Sequence, residues 1–400
     1  MAPNGNDANP GTLSAPFASL EKLKTVMVAG DRAHVRGGVY NVAKSAEWGV
    51  IIDLSGLQGT ASRPIIVENY PGEQPVFDFR NSSYTGSGAT AVRLFMTHHM
   101  HLIGLRFTGF AQNTDGKSTV AGIDLYNSTN NRFERVEIDH VGGYGVQLGG
   151  GAHDNLFLNV DVHHIDDRHT GWGNANGFSI TGSVDAQRNV FDGCRAYCVS
   201  DDGFDLFDNN SFVTIRNSWA FWNGFECLPD GRRIPRGDGM GMKLGPHSNN
   251  KDVSKTLLRV LTNNIAFENK VTGFDQNGGR MVYQLHNNTA FGNGSAGYWF
   301  DYFPELVNDI RNNVAHRNPV ANLSGPHKGS YNTWNRAVPT SDVDFRGLSS
   351  AGADGPRAPD GSLPSLPFLK PAAGSSLIDA GTNVGLPFNG PRPDLGAYER

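Results

Sequence analysis

Cysteine is scarce in this chain: 400 residues carry three. A small disulfide-stapled scaffold is therefore excluded. On an extended strand Cys194 and Cys198 would stand roughly 13 Å apart, too far for a direct bridge. Three buried free thiols are the simplest expectation, and Cys198 with Cys227 is the pairing that stays open. Charge is sparse and shows no basic excess, since 34 Lys and Arg face 39 Asp and Glu for a formal net charge of −5. That balance leaves no electrostatic footprint for nucleic acid. No apolar run reaches the roughly 18 residues of a membrane-spanning helix, so no membrane partner is expected. A secretory leader is missing too. Met1-Ala2-Pro3-Asn4-Gly5 reads as the start of a mature secreted protein given a new initiator methionine, which places the protein outside the cell.

Glycine, by contrast, is abundant at 50 residues, and its placement is periodic. One pattern recurs as Gly122-Ile123-Asp124-Leu125, Gly145-Val146-Gln147-Leu148, Gly177-Phe178-Ser179-Ile180, Gly203-Phe204-Asp205-Leu206, Gly241-Met242-Lys243-Leu244, Gly273-Phe274-Asp275-Gln276 and Gly297-Tyr298-Trp299-Phe300. These glycines stand 23, 32, 26, 38, 32 and 24 residues apart. A second column is Asn263-Asn264-Ile265-Ala266, Asn287-Asn288-Thr289-Ala290 and Asn312-Asn313-Val314-Ala315, with Arg195-Ala196 and Trp219-Ala220 as earlier members. A third is Asn131-Arg132-Phe133, Asn155-Leu156-Phe157 and Asn189-Val190-Phe191. Self-similarity at this period marks a solenoid, propeller or array.

Each unit alternates short apolar runs with Gly, Asn and Asp, which is the grammar of strands and turns. A unit of roughly 24 residues with two or three short strands suits one coil of a parallel β-helix. Asn fits the bends because it tolerates left-handed backbone, and stacked Asn side chains can form ladders. The leucine spacing of a leucine-rich horseshoe is absent. Longer units read as coils carrying a loop, and Cys227 to Gly239 reads as an excursion over the outer face. The expected fold is all-β: a right-handed parallel β-helix with a short N-terminal capping helix and an irregular C-terminal tail. Phe17, Leu20, Leu23, Lys24 and Met27 have the spacing of the cap, with Ser14 as its N-cap. Residues 1–337 are assigned to the cap and β-helix, and 338–400 to a Pro- and Gly-rich tail that wraps the last coil of the same domain.

The chemistry concentrates in Asp201-Asp202-Gly203-Phe204-Asp205. Side chains alternate faces along a strand. Phe204 and Leu206 therefore point into the coil and Asp205 points out; Met242 and Leu244 point in and Lys243 points out. Neighbouring parallel strands lie about 4.8 Å apart, so Asp205 and Lys243 would be near contact on consecutive coils. Asp201 and Asp202 sit at the bend, where alternation does not say which way they point, and Gly203 is read as the residue that lets the backbone turn sharply. Three carboxylates this close raise one another's pKa unless a cation neutralises them. All-oxygen donors of loose geometry suit Ca²⁺. The plain alternatives are an Asp-rich turn and an Asp205–Lys243 surface ion pair. A lysine beside a calcium site has a specific use. Calcium on the carboxylate of a uronic acid makes the C5 proton easier to remove, a neutral amine takes it, and the O4 leaving group departs by β-elimination.

Four stretches occur in order: Asn174-Ala175-Asn176-Gly177-Phe178, Gly193-Cys194-Arg195-Ala196, Ser200-Asp201-Asp202-Gly203-Phe204-Asp205 and Gly237-Asp238-Gly239-Met240-Gly241-Met242-Lys243-Leu244-Gly245. Together they resemble polysaccharide lyase family 9, the pectate-lyase-like β-helix enzymes. The match runs from Gly171 to Asn293 and, more weakly, takes in Gly5 to Tyr40 and Asp394-Leu395-Gly396-Ala397-Tyr398-Glu399. The resemblance implies that Asp201, Asp202 and Asp205 bind calcium and that Lys243 is the Brønsted base. Two positions depart from the family. Its fourth calcium aspartate falls on Asn176, which keeps a carbonyl oxygen but drops a charge, and Met240 stands where a polar residue is usual.

Other residues are assigned by chemistry alone. Arg232, Arg233 and Arg236 are candidate clamps for substrate carboxylates, and Trp299, with Tyr302 nearby, is a candidate sugar platform. Arg280, Lys270 and His247 are weaker candidates. His163-His164-Ile165-Asp166-Asp167-Arg168-His169 looks like a metal cluster, but two successive strand histidines face opposite ways, so joint ligation is not expected. Asn113-Thr114-Asp115 and Asp201-Asp202 are two of the four motifs of polygalacturonase-type β-helix hydrolases, whose Gly-His-Gly and Arg-Ile-Lys are missing. A hydrolase would need two carboxylates and water rather than a lysine. A non-catalytic glycan-binding β-helix is the third class. The function expected is a secreted, monomeric, calcium-dependent lyase acting on an acidic pectin-type glycan, homogalacturonan first and the rhamnogalacturonan I backbone second.

Overall fold

The computed structural model describes all residues except 47–48, 183, 246–255, 301, 302, 304, 324–326 and 338. Among the described residues three long parallel sheets run the length of the molecule, with 11, 10 and 10 strands. The chain visits them in rotation. Arg32–Val35 opens sheet A, Gly38–Asn41 sheet B and Val50–Asp53 sheet C, and Ile65–Asn69 then lies beside Arg32–Val35. The predicted columns are the observed registers. Ala196 pairs with Ala220, Ala220 with Ala266, Ala266 with Ala290 and Ala290 with Ala315 in sheet B. Phe133, Phe157 and Phe191 stack inside sheet A, with ring centroids 4.8 and 5.0 Å apart. All seven glycine repeats lie in sheet C.

Asparagine holds the corners. Asn131, Asn155 and Asn189 form a ladder entering sheet A, each amide Nδ2 donating to the next Oδ1 at 3.0 Å. Asn264, Asn288, Asn313 and Asn332 do the same between sheets A and B at 3.0–3.1 Å. The residues just before the ladder carry the left-handed backbone: Asn263, Asn287 and Asn312 have φ of 56°, 55° and 61°. A further ladder of Asn223, Asn269, Asn293 and Asn318 joins sheets B and C with bonds of 2.9 Å. Buried amides in such stacks satisfy both their own polar groups and the turn backbone.

The N-terminal cap is a helix, Leu20–Val26, that buries Leu20 and Leu23. Its N-cap is Ser19 rather than Ser14, since the Ser19 side chain accepts from the Lys22 N–H. Asp7 holds Ser19 in place through the Ser19 N–H at 3.0 Å and hydroxyl at 2.6 Å. The C-terminal tail does not stay at the last coil. Phe345, Phe368, Leu369, Leu377 and Leu395 cover Trp219, Phe221, Phe267 and Phe291 on the outer face of sheet B. The tail reaches back to Asp161, which Arg357 and Arg195 both clamp. Cys198 and Cys227 are joined by a disulfide and Cys194 is buried and free, so the expectation of three free thiols is corrected. The long interval after Gly203 carries an antiparallel hairpin, Phe225–Cys227 with Arg233–Pro235. The disulfide ties that hairpin to sheet B.

Candidate active site

The site grows from the glycine column of sheet C. Asp205 pairs in register with Lys243, Ser179 lies one rung before and Asp275 one rung after. The glycines are there because two things converge on them. A Cβ on Gly203 would lie 2.6 Å from the Asn223 amide and 2.6 Å from the Gly241 carbonyl oxygen; on Gly241 it would meet Asn269 at 2.7 Å. Gly203 is thus needed for close approach of the ladder, not for a sharp turn, and its φ is not in the left-handed region. The outward residues are also not exposed. Asp202, Asp201, Asp205 and Lys243 retain 0, 2, 4 and 8 % of their surface, although they point away from the coil interior. The descending limb of the hairpin and the Phe207 ring, 5.2 Å from the Lys243 amine, lie beside them.

Lys243 Nζ donates to Asp202 Oδ2 at 2.9 Å. Its salt-bridge partner is therefore the bend residue Asp202, with Asp238 Oδ2 farther off at 3.8 Å. Asp238 N–H donates to Asp201 Oδ1 at 2.6 Å, and Met240 N–H donates to Asp202 Oδ1 at 2.7 Å. Position 240 thus contributes its backbone to the cluster, and a methionine side chain does not disturb that contact. Asn176 donates its amide to Asp205 Oδ2 at 2.8 Å, which orients that carboxylate, and accepts from the Asp202 backbone N–H at 3.3 Å, which fixes the bend. Asp201, Asp202 and the exposed Asp238 present carboxylate oxygens within 4.8 Å of one another.

The electrostatics expose a deficit of positive charge. Burial pushes Asp201 up to about 9, with Asp202 adding to it. Burial pushes Asp205 up to about 7 against the pull of Lys243. Asp202 is raised by burial as well, again opposed by Lys243. Burial pulls the Lys243 ammonium down, but Asp202, Asp205 and Asp201 outweigh it and hold the amine above the ordinary lysine range. One ammonium does not balance three buried carboxylates. The all-oxygen donors fit a hard divalent cation such as Ca²⁺.

Other predicted residues fall farther out. Arg232 is exposed and bonded to Asp230, and Arg233 pairs with Glu268 at 3.1 Å over the Trp222 ring. Arg236 pairs with Glu226 and lies 4.2 Å from the Trp172 ring centroid. All three belong to the hairpin, and each already has a carboxylate partner. Lys270 donates to the carbonyls of Arg236 and Gly237, pinning the limb that carries Asp238. Arg280 pairs with Glu305 at 2.9 Å. Trp299 is 37 % exposed and stands two rungs beyond Lys243. Tyr302 and His247 lie outside the described residues. Asp115 accepts from Lys117 N–H and Ser118 in an ordinary turn. The histidine pair departs from strand alternation. His164 has φ of 52°, which brings its Nδ1 to 2.8 Å from that of His163. His163 also contacts Glu137 at 3.2 Å, while Asp139 is occupied by Arg106, Thr108 and His140. Sequence reasoning missed Asp238 as a cluster member, although it lies in a quoted motif. It also missed Asp167, whose buried carboxylate accepts from Thr170 and the Asn174 N–H and so shapes the loop leading to Asn176.

A buried lysine among carboxylates on the outer face of a right-handed parallel β-helix defines a class, the β-helix polysaccharide lyases. Residues 1–318 match the family model described as Pel9A-like, right-handed β-helix region. The chain belongs to this family and is a pectate-lyase-like polysaccharide lyase. It is 30 % identical to pectate lyase L of Dickeya dadantii, over all of this chain and 90 % of that one. The crystal structure of pectate lyase Pel9A is similar at a TM-score of 0.83 and 28 % identity, covering 100 % of this chain and 95 % of the other. A structure of a rhamnogalacturonan lyase is similar at a TM-score of 0.79 and 25 % identity, covering 93 % and 96 %.

Proposed function

We propose that this enzyme cleaves a pectin-type acidic polysaccharide by calcium-dependent β-elimination, with Lys243 as the base. The observation that carries this reading is the in-register Asp205–Lys243 pair with Asp201, Asp202 and Asp238 gathered around the amine. Asp201, Asp202 and Asp205 would hold the calcium, with Asn176 beside them bonded to the Asp205 carboxylate and to the Asp202 backbone N–H. Bound calcium supplies charge withdrawal from the uronate carboxylate, which acidifies C5–H. Lys243 Nζ then takes the C5 proton, the C4–O4 bond breaks, and a C4–C5 double bond forms in conjugation with the carboxylate. The glycosidic oxygen leaves with the sugar on its other side and takes a proton from water, and the Lys243 ammonium returns its proton to solvent.

Lys243 can act only as the neutral amine, and the same carboxylates that grip its proton are the calcium donors. Engaging those carboxylates elsewhere lowers the affinity of Nζ for its proton, so calcium dependence and an alkaline optimum belong together. The disulfide tying down the hairpin fits an enzyme that works outside the cell. No helix among the described residues is long and apolar enough to cross a membrane. Polygalacturonate and the rhamnogalacturonan I backbone are the substrates to compare. Appearance of the ultraviolet absorbance of an unsaturated uronide, abolished by EGTA and restored by calcium, is the expected result. New reducing ends without that absorbance would replace the reading with a hydrolase.

A further inference from the structure

Sheet C continues five rungs toward the N-terminus of the molecule from the acidic cluster, and its outer face is not blank over the first four. Asp205 is followed in register by Ser179, Gln147, Asp124 and Arg93. Beside them Asn176 pairs with Tyr144, Tyr144 with Ala121 and Ala121 with Thr90. On the other flank Tyr126 pairs with Phe95. These residues alternate against Val92, Leu94, Ile123 and Leu125, which are fully buried in the coil. A groove of about 430 Å³ runs here, lined by Thr90, Arg93, Tyr144 and Gln147 among others. Its near end is one rung from the acidic cluster's neighbours, since Tyr144 pairs with Asn176, which bonds Asp205, and Gln147 pairs with Ser179, which pairs with Asp205.

Phe95 and Tyr126 are 38 % and 46 % exposed, unlike the aromatic residues of the core. Their rings stack at 5.9 Å with 24° between planes. The Tyr126 ring is braced from below: a Cβ on Gly149 would come within 2.5 Å of it. Arg93 leaves 42 % of its side chain exposed beside this pair, 3.9 Å from Asp124. A braced, exposed aromatic pair with an adjacent guanidinium offers an apolar surface to the C–H face of a sugar ring and a cation to its carboxylate.

Resting on the proposed lyase reading, we infer that Phe95 and Tyr126 form a distal subsite on the same sheet face that takes a sugar ring of the uronate polymer, with Arg93 as its cation. The polymer is the occupant because one in-register column of outward residues, Lys243, Asp205, Ser179, Gln147, Asp124 and Arg93, joins the acidic cluster to the platform along a single sheet face. Strands are spaced about 4.8 Å, close to the length of one pyranose unit, so the platform, four to five rungs from Lys243, stands roughly 19–24 Å, or about four to five sugars, from the reacting bond.

The test uses the full chain with calcium and oligogalacturonides of increasing length, and rhamnogalacturonan I oligomers in parallel. For the native protein kcat/KM rises as the fourth and fifth sugars are added on this side. In Tyr126→Ala and Phe95→Ala the ratio of kcat/KM for long over short oligomers falls about fivefold to tenfold, and Tyr126→Phe restores it. Retardation in polygalacturonate gels gives the same order without turnover. Unchanged length dependence and unchanged retardation in Tyr126→Ala overturn the inference while leaving the lyase reading intact. Retardation lost in Tyr126→Ala, with no elimination product from any oligomer, would instead keep the subsite and remove the lyase reading. A dimer lost on substitution at equal polymer affinity would make the platform a self-association patch and also overturn it.

Discussion

Replacing Lys243 with Met tests the site through stability as well as through turnover. The side chain is of similar length, so packing against Phe207 is kept, but the one ammonium touching Asp202 at 2.9 Å is removed. Asp205 and Asp201 are already raised from 3.8 to about 7 and about 9, chiefly by burial. The folded state thus holds more protons than the unfolded chain between these values, and these two groups cost stability as pH rises. Lys243 opposes that cost by its charge. Without it, calcium-free Lys243→Met loses about 3–5 kcal/mol near pH 8, the range for breaking a buried ion pair, and much less near pH 5, where the carboxylates hold their own protons. Urea unfolding in EGTA at both pH values measures the difference, and calcium recovers part of the loss by binding the folded state. Elimination activity falls by at least about a hundredfold at every pH. An equal loss of stability at the two pH values would show that the amine does not neutralise the carboxylates, and retained turnover would take Lys243 out of the chemistry.

Three further outcomes follow from the geometry. Gly203→Ala drives a methyl group into the buried Asn223 ladder and the Gly241 carbonyl, so denaturant unfolding registers a loss of about 1–3 kcal/mol; a change within about 0.5 kcal/mol would mean the ladder yields freely. Cys198→Ser releases a crosslink spanning 29 positions and costs roughly 3–4 kcal/mol by chain entropy, together with weaker calcium binding by calorimetry, because the hairpin carries Asp238; unaltered calcium affinity would uncouple hairpin and site. Asp161 is pulled down to about 2 by Arg357 and Arg195 against the effect of burial. Its contribution is present above pH 3.8 and lost as pH falls toward 2, so Arg357→Ala costs about 2–3 kcal/mol at neutral pH and less in acid, as a thermal melt at the two pH values reads.

What the sequence determined by itself was everything governed by a period. The glycine spacing and the alternation of Phe204-Asp205-Leu206 and Met242-Lys243-Leu244 were enough to align Asp205 with Lys243, because parallel strands stack in register and the pleat has a period of two. The asparagine columns were legible for the same reason. Whatever depended on bends or on chain brought from elsewhere was not. Alternation stops at a corner, so the sequence could not say that Asp202, rather than Asp205, grips the amine, or that a left-handed His164 swings beside His163. The hairpin that carries Asp238 to Asp201 is set by the Cys198–Cys227 bond and by Lys270, contacts between distant positions. Repetition builds the wall of this enzyme, and only the folded arrangement of the non-repeating segments over that wall buries the acidic cluster and so pushes its proton affinities up.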